Sequence, residues 1–440
     1  METVLLYALG VVILIVGLAL SIGLHEIGHL VPAKKFGVKV GQYMVGFGPT
    51  VWSRKFGETE YGIKAIPLGG YISMAGMYPP DKKGGRPRDS GTGFVSALVQ
   101  DARDGSAQTV TAGDEDRVFY KLSPWKRIII MLGGPTMNLL LAIVLYSILL
   151  VGIGMPQSTS TLGSVNECVV ASGQTECTPD DPASPAAEAG LLPGDQVLSV
   201  DGTAVSDAAQ TSAIIRESAG RQLAVVVLRG GQKLTLEVTP ILTERPVVDA
   251  AGAAVVDANG NAVTEKVGIV GVSFTSAIVP QPITAVGPAV GENVAGVAKV
   301  IVTLPQRLVQ VAQAAFGGEA RDPNGPVGLI GVGRIAGEVT AMDTTPVATK
   351  AALLLNILAS LNVALFVFNL IPLLPLDGGH VAGALWESIR RRFAKWFKRP
   401  DPGPVDIARL IPLTMVIVVV LGASTLLLAY ADIVNPVSLL

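Results

Sequence analysis

Residues 20–30 read LSIGLHEIGHL. Two histidines and a glutamate interrupt a run that is otherwise hydrocarbon from position 4 onward. The segment 4–30 exceeds the roughly 20 helical residues that a bilayer core requires, so these three hydrophilic side chains fall inside a candidate membrane span. Ionisable groups are costly there, and function is the first reading of them. On a helix His25 and His29 lie one turn apart on one face, where both imidazoles can hold a single Zn²⁺. Glu26, beside His25, is placed to act on water as a general base. The plainer alternative is a chance H-E-x-x-H on a solvated surface helix. Leu20, Ile22, Leu24, Ile27 and Leu30 leave no solvated face to carry it.

The rest of the chain fits a membrane setting. Of 440 residues, 50% are hydrophobic and 15% charged, a composition of integral membrane proteins. A net charge of −2 gives no basic footprint for nucleic acid, and no nucleic-acid partner is expected. Three further stretches, 128–154, 351–376 and 410–430, are long and apolar enough to span. The expected fold class is therefore a polytopic α-helical membrane protein with about four transmembrane helices, and the bilayer itself is its first partner. The first stretch lacks a basic leader and a small-residue cleavage site, so it reads as a retained anchor.

Basic residues close to the spans, Lys34, Lys35, Lys126, Arg127, Arg390, Arg391, Arg392 and Lys395, place those ends in the cytoplasm. Both termini and the long loop after the second span then lie outside a cell membrane crossed several times. The first and third spans run the same way, which puts their polar ends at one depth near the cytoplasmic side. Cys168 and Cys177 fall in the outer loop, where a disulfide and two free thiols are both open.

Between the spans, residues 40–77 are rich in Tyr, Ile, Phe, Val and Gly and read as a β-hairpin sheet hugging the membrane. Residues 78–120 read as a flexible cytoplasmic insertion, poor in aromatics and rich in Gly, Asp, Arg and Pro. In the outer loop, AGLLPGDQVLSVDG (189–202) gives a short helix, a Leu-Pro-Gly-Asp turn, a strand and an Asp-Gly turn. A helix capped by Ser206 and a hairpin across Gly230-Gly231 follow. That order resembles a circularly permuted PDZ domain over 160–242, and such domains bind peptides by strand addition or carboxylate capture. A connector, 243–350, carries an amphipathic helix at 288–316 and a Gly-rich return to the third span.

A catalytic zinc site needs a third protein ligand. The third span ends NLIPLLPLDGGH (369–380), which offers Asn369, Asp377 and His380. Prolines and glycines break the helix there, and broken backbone at membrane depth is tolerated where it is buried in protein or lines a wet cavity. Two non-proteolytic readings, a PDZ scaffold with a structural metal and a transporter using intramembrane His and Asp, are weakened by Glu26 and by the sparsity of polar residues along the other spans.

Taken with GFGP (46–49), GETEYGIKAIPLGGYISM (57–74), FYKLSPWKRIIIMLGGPTMNLLLA (119–142) and GPVGL (325–329), these motifs resemble the site-2 protease family of zinc intramembrane proteases, in its bacterial PDZ-bearing branch. The resemblance implies that His25, His29 and Asp377 (from 351–380) ligate zinc, that Glu26 activates water, and that Asn369 holds substrate or stabilises the oxyanion. It implies that the strand with Gly69, Gly70 and Tyr71 pairs with unwound substrate near Pro372. For Asn138 it leaves a substrate contact and an interhelical hydrogen bond equally open. Implied substrates are single-span membrane proteins already trimmed outside, such as anti-sigma factors, with the PDZ domain gating them or binding a new C-terminus. The chain departs from the family pattern in carrying Leu374 where a second proline is usual, and in showing one PDZ module.

Overall fold

The computed structural model describes residues 2–79, 94–169, 177, 182–247, 263–317, 321–322, 325–343 and 345–437. In chain order its elements are α1 (Glu2–Lys35), β1 (Val40–Phe56), β2 (Thr59–Met74), α2 (Phe94–Gln108), α3 (Pro124–Ser147), β3 (Met155–Val165), α4 (Pro185–Glu188), β4 (Gln196–Val200), β5 (Thr203–Ala204), α5 (Ala208–Arg216), β6 (Leu223–Arg229), β7 (Gln232–Val238), β8 (Ile241–Pro246), β9 (Thr264–Ile269), β10 (Val272–Val279), α6 (Val286–Gly317), α7 (Leu329–Ala341), α8 (Val347–Asn369), α9 (Asp377–Trp396) and α10 (Ile411–Val434). They form two compact units, one of Met1–Gly152 with Pro282–Leu440 and one of Ile153–Gln281.

The helical unit holds the H-E-x-x-H motif. Lys34 and Lys35 in the last turn of α1 complement its carbonyl end. Gly37, at φ +83°, ends the helix, and Val38 N–H returns to the Ala33 carbonyl at 3.0 Å. α3 starts at Pro124, where the missing N–H is not needed. Val16, Leu20, Val419 and Leu426 are exposed although apolar, as lipid-solvated helices require. Among the described residues five helices are long and apolar enough to cross a membrane, one more than the sequence indicates. The addition is Ile283–Gly317, which contains α6.

Contacts order these helices. α9 meets the first turn of α3 through Arg127 and Glu387, and Gly383 on α9 lies against Ile407, just before α10. α3 and α10 therefore begin at the same end of the bundle, where α1 and α8 finish. At the opposite end, the start of α6 (Val286, Val290) packs with Tyr146 and Leu149 of the α3 terminus, while its far end (Val311, Ala315) packs with Ala431 of α10. Both ends of α6 thus meet the same end of the bundle. α7 lies against the first half of α1, with Thr340 Oγ1 donating to the Leu6 carbonyl at 2.7 Å.

β1 and β2 form an antiparallel sheet whose long strands bend. Residues 42–45 pair on one side with 70–73 and on the other with 60–63, so 70–73 is an outer edge among the described pairings. The expected flexible insertion contains α2. Residues 80–93 of that insertion lie outside the described residues. α2 is tethered because Ser106 Oγ accepts Tyr78 N–H at 3.0 Å and Arg103 pairs with Asp406.

The second unit is an antiparallel sheet ordered β10-β3-β4-β6-β7, with β5 on β4 and a separate β8–β9 pair. Leu162, Val197, Val200, Leu223, Val225, Val227 and Ile215 form its core. It extends beyond the expected 160–242 because β3 and β10 pair along its edge. Asp207, not Ser206, caps α5, accepting Gln210 N–H at 2.9 Å, because the helix begins one residue later than its sequence suggests. Gly230 and Gly231, both at positive φ, turn the β6–β7 hairpin. The two cysteines are joined as a disulfide.

Candidate metal centre

The site grows out of a close helix crossing. Built on Gly28, a Cβ would lie 2.2 Å from the Gly133 carbonyl oxygen, and one on Gly133 would lie 1.9 Å from that of Gly28. Only glycines let α1 and α3 approach so closely. The crossing seats the α1 histidines on α3. A Cβ on Gly134 would stand 2.2 Å from His29 Nε2 and 2.7 Å from His25 Nε2. In the sequence these glycines carry no chemistry of their own; Gly28 and Gly133 face each other, and Gly134 faces the histidine pair.

The third element arrives from the broken end of α8. Prolines 372 and 375 stop the helix after Asn369, and a new helix, α9, begins at Asp377. Glu387, fully buried on α9, fixes that helix: it pairs with Arg127 at 2.5 Å and Arg391 at 3.0 Å, and accepts Val405 N–H at 2.9 Å. Asp377 Oδ2 then lies 3.4 Å from His25 Nε2 and 3.3 Å from His29 Nε2, while the two Nε2 atoms are 3.2 Å apart. His25, His29 and Asp377 are the one such group among the described residues.

These separations test the fit to zinc. Four donors held tetrahedrally at about 2.0–2.1 Å from an ion are about 3.3 Å from one another, and all three separations fall within 0.1 Å of that. The far ring nitrogens are also disposed for it. His29 Nδ1 is 2.7 Å from the Ile130 carbonyl, which fixes the proton on Nδ1 and leaves Nε2 its lone pair. His25 Nδ1 faces Asn138 Nδ2 at 3.1 Å, while the buried Asn138 Oδ1 has no partner. Turning that amide over gives its oxygen to a protonated Nδ1.

Glu26 is buried beside this triad without a hydrogen-bond partner among the described residues. The edge of β2 runs over it, since a Cβ on Gly70 would lie 2.9 Å from Ile22 Cγ2 and 3.1 Å from Glu26 Cγ. Gly69, at φ +101°, turns the strand under Phe47, and Tyr71 Oη donates to Gln42 Oε1 at 3.1 Å.

Other expected residues stand further off. Asn369 turns its amide back on the Leu365 carbonyl at 3.0 Å. Pro372 is exposed and lines a cleft of about 230 Å³ with Trp386, Leu410 and Leu413. Asn138 is buried behind His25 and contacts the ring instead of an open groove. His380, the alternative third ligand, meets Phe119 edge-on with ring centroids 6.4 Å apart and is not in the triad.

The profile of Peptidase family M50 matches residues 13–399. The chain is similar to zinc metalloprotease Rip1 of Mycobacterium tuberculosis, with 34% identity over 444 residues that cover 99% of this chain and 100% of the relative. It is similar to zinc metalloprotease Rip1 of Mycolicibacterium smegmatis, with 33% identity over 456 residues and 99% and 100% coverage. With the likeness running end to end and through every element that builds the triad, the chain belongs to peptidase family M50, the site-2 proteases, and is a zinc metallopeptidase of the membrane.

Proposed function

We propose that the protein cleaves a transmembrane segment of single-span membrane proteins, with His25, His29 and Asp377 as zinc ligands and Glu26 as the general base. The observation that carries this reading is the set of three near-equal donor separations, 3.2, 3.3 and 3.4 Å, with an unpartnered carboxylate beside them. When bound, Zn²⁺ supplies Lewis acidity that polarises a carbonyl and lets water act as a nucleophile near neutral pH. Glu26 takes the proton of the attacking water and delivers it to the leaving amine. Asn138 and the Ile130 carbonyl hold the imidazoles in register.

A helical substrate hides its amides in its own hydrogen bonds and must be extended to react. The open edge at 70–73, directly over Glu26, supports strand addition by that extended segment. Gly69, Gly70 and Tyr71 then form the substrate strand, with Pro372 and Asn369 at the α8–α9 corner beyond. The basic residues at the metal end of the bundle support a cytoplasmic site, with both termini and the PDZ-like second unit outside. Both ends of α6 meeting the outer end of the bundle supports four spans with α6 along that face. The favoured substrates are anti-sigma factors already trimmed outside, admitted or bound through the PDZ-like unit.

The test replaces Glu26 by Gln in the full chain with a single-span substrate. Cleavage is expected to fall by at least about 10²-fold, the lower range for loss of a general base, with zinc content unchanged. Unchanged cleavage would remove Glu26 from the mechanism.

A further inference from the structure

α9 begins with Asp377 and runs away from the metal centre, and its two sides differ sharply. Ala384 and Glu387 are buried on the protein side. Leu385, Trp386, Ile389, Phe393 and Trp396 are exposed, with Phe397 at the helix end. Trp396 is 80% and Phe397 64% exposed. At about 100° per residue these side chains share an arc of roughly 120°, opposite the buried side, and Phe393 stacks on Phe397 with ring centroids 6.3 Å apart. An aromatic ridge of this size is not left in water by a soluble face.

Its charge identifies what covers it. Residues 390–399, RRRFAKWFKR, hold six cations and no acid. Arg391 is taken up by Glu387 and Asp401, and Arg390 reaches the Pro402 carbonyl at 3.5 Å. Arg392, Lys395, Lys398 and Arg399 form no ion pair among the described residues and are exposed. By helical angle Arg390 and Arg392 border the ridge on its two sides. Tryptophan and phenylalanine at the level of the acyl chains, with cations reaching the headgroups beside them, is the arrangement of a helix lying in a membrane interface.

We propose that α9 docks in the leaflet at the metal end of the bundle and binds anionic lipid headgroups through Arg392, Lys395, Lys398 and Arg399. A second copy of the chain would bring the same six cations to the patch and repel. A cation-rich ridge continuous with membrane-spanning helices is complementary to an acidic lipid surface, which attracts each nearby Lys or Arg about fivefold. The helix so held carries Asp377 on its first turn, so the lipid contact also fixes the depth of that carboxylate. The proposal rests on membrane embedding and not on the cleavage reaction.

The experiment uses the full chain in vesicles of phosphatidylcholine with and without phosphatidylglycerol. Because both native cysteines are in the disulfide, Trp396→Cys and Lys395→Cys each accept one spin label. The label at 396 is expected to meet oxygen and not a water-soluble nickel chelate, and the label at 395 to do the opposite. In parallel, the preference of the protein for spin-labelled phosphatidylglycerol over phosphatidylcholine is expected to fall at least about fivefold when Arg392, Lys395, Lys398 and Arg399 are all changed to Gln. A label at 396 open to the nickel chelate, or shielded from both reagents as by a protein neighbour, overturns the proposal. A lipid preference unmoved by the four substitutions also overturns it.

Discussion

Gly134→Ala places a methyl group against the proposed metal-ligand atoms. Its Cβ would stand 2.2 Å from His29 Nε2 and 2.7 Å from His25 Nε2, against an ordinary carbon–nitrogen contact of about 3.4 Å. The shortfalls are about 1.2 and 0.7 Å, several times the roughly 0.2 Å within which ligand distances must hold. His29 cannot swing aside cheaply, because its Nδ1 is tied to the Ile130 carbonyl at 2.7 Å and its ring is buried. Losses of about 10–100-fold in metal affinity follow from disturbing outer contacts alone, so this variant should lose at least about 100-fold. The overpacked crossing should cost a further 1–3 kcal/mol or so of stability. Zinc per chain by elemental analysis, at defined free zinc, and cleavage of a single-span reporter would measure it. Gly152→Ala, with open space around its Cβ, is the matched control and should keep both. Full zinc occupancy with full cleavage in Gly134→Ala would refute the geometry.

Two further expectations concern groups away from the reacting atoms. Asn138→Leu should weaken zinc binding by about 10–100-fold without moving substrate affinity, measured by zinc competition and by substrate titration; Asn138→Asp should recover part of the loss because a carboxylate also accepts from Nδ1–H. In the second unit, hydrogen bonds from the Arg229 guanidinium, with one from Leu192 N–H, hold the Asp195 carboxyl below the usual carboxylate range. Its folded pKa is depressed, so its stabilisation is complete above the unfolded value near 3.9 and is lost as pH falls through the lower folded value. Hydrogen exchange of this unit in the full chain, corrected for intrinsic rates, should show an acid-side loss of protection that Asp195→Asn removes.

The candidate metal centre was legible because its chemistry is sparse. Two of the chain's 3 histidines sit one turn apart in hydrocarbon, and a carboxylate follows a pair of helix-breaking prolines at matching depth. What the sequence did not carry was packing. Gly28, Gly133 and Gly134 look like ordinary helix breakers until two backbones meet across them, and Asn138 stays open between a substrate contact and an interhelical hydrogen bond until its depth behind His25 is known. The buried Arg127–Glu387 pair joins residues 260 positions apart, which periodicity cannot pair. α6 is apolar and long enough to cross a membrane by composition, while its course is set by what its two ends touch. The second unit is wider than its motif because β3 and β10 pair along its edge.

The most direct test of the centre is zinc K-edge absorption on the purified full chain, wild type beside Asp377→Ala. Wild type should bind one zinc with two imidazoles and oxygen donors at about 2.0–2.1 Å, and the variant should bind markedly less zinc or show one oxygen donor replaced. An identical first shell at identical affinity in Asp377→Ala would contradict the convergence of α1 and the α8–α9 corner on a single ion.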